Sequence, residues 1–131
     1  MSARSQLVCA WCGPAFVVLF TIGYWLIAHY LPPHAPTAGA EEIAALYREN
    51  TLPIRLGMFV MMSCSGLIAA FVAVIAVQLR RIEGQTPVLT YTQLSSGSVG
   101  ILFFILPALL WTVAAFRPER DPQLILLLND M

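Results

Sequence analysis

The chain has no lysine, and only 11% of its 131 residues are charged, against about 25% in an ordinary soluble domain. Seven arginines are balanced by seven acidic residues. No basic face can form from that balance, so nucleic acid is not an expected partner. Three cysteines cannot make an even disulfide framework. There is no G-x-x-x-x-G-K-[ST] or G-x-G-x-x-G phosphate loop, no H-E-x-x-H and no G-x-S-x-G. Nucleotide, zinc-peptidase and serine-hydrolase chemistry therefore have no motif behind them. No catalytic residue, metal site or cofactor is expected. Lipidation signals are missing as well: Ser2 is not a myristoyl acceptor, and no prenyl cysteine ends the chain.

Charge is also missing from three long apolar runs, at residues 8–31, 56–79 and 94–116. Each has 23 or 24 residues without Asp, Glu, Lys or Arg, and a helix of about 20 residues crosses the roughly 30 Å bilayer core. Within lipid the backbone must satisfy its own hydrogen bonds, so such runs become helices. With 59% hydrophobic residues and a mean hydropathy of +0.78, the sequence predicts an all-α transmembrane bundle forming a single membrane domain over residues 1–131. The bilayer is its first partner. The leading run is too long for the apolar core of a signal peptide, about 7–15 residues, and reads as a span.

Smaller features complete the plan. Gly13-Pro14 allows two readings of span 1: a helix that starts at Pro14, or one that starts near Val8 and kinks there. Trp11, Tyr24, Trp25 and Tyr30 lie toward the ends of this run, where amphipathic rings settle at the interface. Residues 41–50 predict a short interfacial helix. Its apolar edge is Ile43, Leu46 and Tyr47, and Glu41 and Glu42 occupy its first turn. Span 2 exits through Arg80-Arg81, with Gly84 suited to a left-handed cap. Pro107 should kink span 3 locally. Residues 123–131 hold a new apolar run that predicts the start of a fourth span. Three arginines against four at the two sides decide orientation weakly. Arg4 ahead of the first span and the Arg80-Arg81 pair favour a cytoplasmic N-terminus.

Candidate sites are few, and each has a plainer reading. Cys9-Ala10-Trp11-Cys12-Gly13-Pro14 contains a C-x-x-C pair and most of the thioredoxin letters. However, an apolar helix follows and a βαβ unit does not. Cys9 and Cys12 are candidate reactive thiols, Cys12 if a helix begins beside it. Interfacial packing is the alternative. His29 and His34 are too few to hold a metal or haem. Met58, Met61, Met62 and Cys64 form a soft cluster that suits Cu(I) or simple packing. Arg55 at the mouth of span 2 suits an anionic headgroup, or it reaches the interface unaided. Small residues carry more. Ser65, Ala69 and Ala73 form an i, i+4, i+8 ridge on span 2, and Ser96 and Gly100 form one on span 3. Such ridges let helices approach closely, so spans 2 and 3 are expected to pack through them. The same ridge serves equally well for a contact between subunits.

Three strings, Ala10-Trp11-Cys12-Gly13-Pro14, Leu79-Arg80-Arg81-Ile82-Glu83-Gly84 and Leu110-Trp111-Thr112-Val113-Ala114-Ala115-Phe116-Arg117-Pro118, together give the chain a resemblance. It resembles a family of uncharacterised bacterial, mostly actinobacterial, polytopic integral membrane proteins. The resemblance covers essentially the whole chain. It implies a longer protein with about six spans, in which a string like Leu128-Asn129-Asp130 leads into a further span, so that this chain looks like an N-terminal portion. It implies no activity, cofactor or functional residue. Three function classes follow. The first is a structural or interaction subunit with a membrane protein partner or a second copy of itself. The second is a carrier for an apolar or lipid-like solute. The third is a membrane redox enzyme using the cysteines or histidines. Uncharged spans argue against ion coupling.

Overall fold

A computed structural model describes residues 3–30 and 37–131. These residues are helical almost throughout, with no strand among them. Helix α1 (Ala3–Thr21) continues into a π-helical turn (Ile22–Ile27). Next come α2 (Ala40–Glu49), α3 (Thr51–Glu83), α4 (Val88–Gly100), α5 (Leu102–Phe116) and α6 (Pro122–Asp130). Three assemblies are long and apolar enough to cross a membrane: Ala3–Ile27, Thr51–Glu83 and Val88–Phe116. At about 1.5 Å rise per residue, α3 is about 50 Å long.

The three long helices run up, down and up. At one end Gln78 Nε2 donates to Gln6 Oε1 at 3.0 Å, joining the end of α3 to the start of α1. At the other end Arg55, near the start of α3, reaches the last carbonyls of α5. There α2 and α6 pack on each other and on α5. The core lies beneath them. It is built from Ile43, Ala44 and Tyr47 of α2, Ile54, Met58 and Met61 of α3, Ala108, Ala114 and Ala115 of α5, and Ile125 of α6. Helix α1 buries no residue fully.

Local chemistry sets the ends. Helix α1 starts at Ala3, so Pro14 lies within it and neither starts it nor is preceded by a start at Val8. Glu83 and Gly84 explain why α4 begins six residues before the expected Leu94. Gly84 takes φ 73, which only glycine adopts without strain. Glu83 then turns back onto the next helix. Its Oε1 accepts from the Leu89 N–H at 2.6 Å, and its Oε2 accepts from the Thr90 N–H at 2.7 Å and the Thr90 hydroxyl at 2.6 Å. These N–H groups are among the orphan donors of a helix start. The third apolar helix is interrupted at Ile101, ahead of Pro107. The run expected to open a fourth span forms α6, nine residues long. Asp121 caps it by accepting from the Gln123 N–H at 2.9 Å, and Ile125 is wholly buried against the other elements.

Spans 2 and 3 do pack on each other, but in a different register from the predicted ridges. Ser65 is buried, whereas Ala69, Ala73 and Ser96 are exposed. Gly100 is half-buried with open space where a Cβ would stand. The close approach is instead Gly97 against Val72, 2.7 Å from an ideal Cβ to Val72 Cγ1. Helical geometry explains the shift. Steps of four residues rotate by about 40° each, so a long i+4 ridge winds off the contact. Ser65, Val72 and Ala76 are seven and eleven residues apart, which returns to within about 20° of one line, and all three are buried.

Candidate functional site

The most organised cluster of polar side chains lies where α2 and α6 cover the end of the bundle. It begins with the way the first apolar helix stops. In the π-helical turn the Ala28 N–H donates to the Gly23 carbonyl at 3.0 Å. His29 then takes φ 57, and the Tyr30 N–H donates back to the Tyr24 carbonyl at 3.1 Å. This closure resembles a Schellman cap widened by one residue. It needs the left-handed conformation, which histidine adopts more readily than most residues with a Cβ. The wider turn aims Tyr30 inward, and Tyr30 is 4% exposed.

Tyr30 there meets Tyr47 of α2, hydroxyl to hydroxyl. The Tyr47 hydroxyl donates to Asn129 Oδ1 of α6 at 3.2 Å. With Tyr47 as donor to Asn129, Tyr30 is the donor to Tyr47. Trp111 of α5 donates its Nε1–H to the Asn129 carbonyl at 3.2 Å. Four elements are thus tied through one set of hydrogen bonds. Rings extend the cluster: Tyr30 stacks on Trp111 with centroids 4.7 Å apart. Tyr24 lies 5.5 Å from Tyr30 and 5.7 Å from Phe20. Such pairs add about 0.5–1.5 kcal/mol beyond burial.

The electrostatics keep both phenols protonated. Burial pushes the Tyr47 hydroxyl up to about 12. The Tyr30 hydrogen bond opposes that rise, and the Asp130 charge adds to it. Burial raises Tyr30 well above the ordinary phenol range, and the charge and hydrogen bond of Tyr47 add to the effect. Neutral phenols in a chain of hydrogen bonds hold helices in register.

Arg55 stands beside this cluster and has a definite role. Its Nε–H donates to the Ala115 carbonyl at 3.1 Å and its Nη2 to the Phe116 carbonyl at 2.7 Å. Its guanidinium also sits 5.0 Å from the Phe116 ring centroid. The cation therefore caps the C-terminus of α5, where helix carbonyls lack partners and the dipole is negative. Arg48 adds a bond from its Nε to the Pro118 carbonyl at 3.2 Å.

The other sequence candidates are scattered. Cys9 and Cys12 lie one turn apart inside α1, both half-buried and both free thiols. Cys12 donates to the Val8 carbonyl of its own helix at 3.4 Å. Because α1 starts at Ala3, Cys12 is not at a helix N-terminus, the placement that would activate it. Met58 and Met61 are buried in the core beneath Tyr30, and Cys64 bonds the Met61 carbonyl at 3.2 Å. His29 is exposed, and His34 lies outside the described residues. Among the described residues no three His, Cys, Asp or Glu gather as a metal would require.

Sequence reasoning missed the cluster as a unit. It placed Tyr30 and Tyr47 on separate interfacial edges and Asn129 at the mouth of a further span. It also missed a close backbone contact between Gly23 and Gly57. A Cβ at Gly23 would stand 2.9 Å from the Gly57 carbonyl oxygen. The signal available was a pair of glycines in each of two apolar runs, Gly13 and Gly23 in the first and Gly57 and Gly66 in the second, since small residues mark close approach. No protein-family model, curated protein or solved structure matches this chain.

Proposed function

We propose that the chain is an integral membrane protein whose role is structural or interactive: a helix-packing subunit that presents its outer faces to a membrane partner or to a second copy. Following the resemblance of its three strings, the membrane is the bacterial cytoplasmic one, and Arg4 with the Arg80-Arg81 pair puts the N-terminus inside. The observation that carries this reading is how closely the seams between the helices are shut. Gly13 faces the Phe71 ring, 2.8 Å from an ideal Cβ, Gly23 faces the Gly57 backbone, and Gly97 faces Val72. Ring, aliphatic and backbone atoms close the helices onto each other at these three points. The outer faces, by contrast, stay large and apolar, with Trp11, Val17 and Val18 on α1, Phe59 on α3 and Phe103 on α5 exposed. On α3 these faces include Gly66, Ala69 and Ala73, side chains short enough for another helix to approach.

The test is native mass spectrometry of the detergent-purified chain with its copurified partners identified. A discrete hetero-complex or homo-oligomer is expected. Ala69→Leu with Ala73→Leu should dissociate it while leaving the helical circular dichroism unchanged. A monomer carrying one defined, uncharged apolar molecule would overturn the proposal in favour of the carrier reading. One observation keeps that second reading in view: an apolar groove of about 300 Å³ between α1 and α3, lined by Leu19, Phe59, Val60, Ser63, Cys64 and Leu67.

A further inference from the structure

The end of the bundle away from α2 and α6 carries a second groove with a different chemistry. It lies between α1 and α3, has a volume of about 390 Å³, and is lined by Gln6, Leu7, Ala10, Phe71, Ile75 and Gln78 among others. Its polarity is graded. Gln6 and Gln78 lie at the outer end, joined across the groove at 3.0 Å. Leu7, Ala10, Ile75 and Phe71 follow inward. From Gln78 to Phe71 is seven residues of helix, about 10 Å of depth. A polar mouth above an apolar trough has the profile of a lipid: head at the interface, chain toward the midplane.

The mouth is also positively charged. Arg81 donates from Nη1 to Gln78 Oε1 at 3.1 Å, so its guanidinium is held at the groove's rim. Arg80 and Arg4 are exposed at the same end. Among the described residues Glu83 is the one carboxylate here, and it is already engaged. It accepts from two backbone N–H groups and the Thr90 hydroxyl at the start of α4. Three guanidiniums therefore face the interface without a carboxylate to answer them. Guanidinium is the side chain best matched to a phosphate oxygen pair, and anionic headgroups attract basic residues within a Debye length of the surface.

We propose that this groove binds one anionic phospholipid, with an acyl chain along Leu7, Ala10, Phe71 and Ile75 and the phosphate at Arg81 and Arg80. The proposal is independent of the subunit reading above. It concerns the groove between α1 and α3, which Ala69 and Ala73 do not line, and it holds for a monomer. It also assigns this end of the bundle to an anionic leaflet.

The probe is an equimolar mixture of palmitoyl-oleoyl phosphatidylglycerol and phosphatidylcholine added to the full chain in detergent, with retained lipid read by native mass spectrometry. The wild type should retain one phosphatidylglycerol in preference to phosphatidylcholine. Arg80→Gln with Arg81→Gln should cut that preference about 25-fold, about fivefold for each arginine. Ala10→Phe, which fills the trough, should lower retention of both lipids. Arg117→Gln with Arg120→Gln at the far end should change nothing. Excess glycerol 1-phosphate should leave the lipid bound, because the headgroup alone lacks the chain. Equal retention of the two lipids by the wild type would overturn the proposal. So would an undiminished preference in the Arg80/Arg81 variant, or displacement by glycerol phosphate, which would reduce the site to a simple anion contact. The two arginines are exposed, so their variant folds and decides the matter even if Ala10→Phe does not.

Discussion

Two glycines in the same helix, Gly57 and Gly66, should respond to alanine with opposite signs. Both sit inside α3, where exchanging Gly for Ala gains about 0.5–1 kcal/mol by restricting the unfolded backbone. At Gly66 nothing lies within 4 Å of the new methyl, so the gain should appear in full. At Gly57 the methyl would be pressed onto the Gly23 carbonyl oxygen, 2.6 Å from Ala28 Cβ and 2.9 Å from the Ala28 nitrogen. Two of these three atoms are backbone, and neither can rotate away. Overpacking costs about 1–3 kcal/mol. With backbone in the way the upper figure applies, about 3, less about 1 for the propensity gain, for a net loss of about 2 kcal/mol. The two variants should therefore differ by nearly 3 kcal/mol. The assay is reversible unfolding of detergent-solubilised protein by added sodium dodecyl sulfate, followed by far-UV circular dichroism and by tryptophan fluorescence. A Gly57→Ala variant as stable as the wild type would refute the placement of the π-helical turn against α3. A Gly66→Ala variant as damaging as Gly57→Ala would show that the outer face of α3 is occupied.

Three further outcomes follow from the interfacial cluster. Tyr47 gains its proton affinity on folding, so its stabilisation is complete below about pH 10 and fades as pH rises through about 12. The roughly 2-unit interval corresponds to about 3 kcal/mol. The check is a phenolate-absorbance titration followed alongside circular dichroism. Tyr30 and Tyr47 should ionise only together with loss of helicity, and ionisation of either phenol while the helices stay intact would contradict the burial. Arg55→Gln removes the charged cap of α5 and should cost about 1.5–3 kcal/mol, read in the same unfolding assay, whereas Arg120→Gln should cost little. His29→Gly relieves a left-handed residue bearing a Cβ and should stabilise by up to about 1 kcal/mol. His29→Val should destabilise.

Much of the plan could be read from residues alone because the bilayer constrains composition so strongly. A charge-free run of more than 20 residues has one solution in lipid, and each of the three runs coincides over most of its length with a helix long and apolar enough to cross a membrane. Residues 41–50 were legible because Ile43, Leu46 and Tyr47 share one edge at helical spacing, and Arg80-Arg81-Ile82-Glu83-Gly84 because glycine and arginine mark a helix exit. The candidate site was not legible, because its members come from four elements, and the hydrogen-bonded Tyr47 and Asn129 alone are 82 residues apart. Periodicity reports which face of a helix is apolar, but not which other helix that face meets.

The same limit governs the small residues. That α3 carries faces small enough for close packing is a property of its composition, fixed before any neighbour exists. Tertiary structure alone decided that Gly57 and the line through Ser65 and Val72 take the inner side, leaving Ala69 and Ala73 outside, because the rotation of a helix about its axis depends on what it packs against. It likewise decided that Arg55 caps α5 and that Asn129 joins Tyr47 and Trp111. A cation or an amide at the membrane boundary must find a partner, but sequence names the need and only the fold supplies the partner.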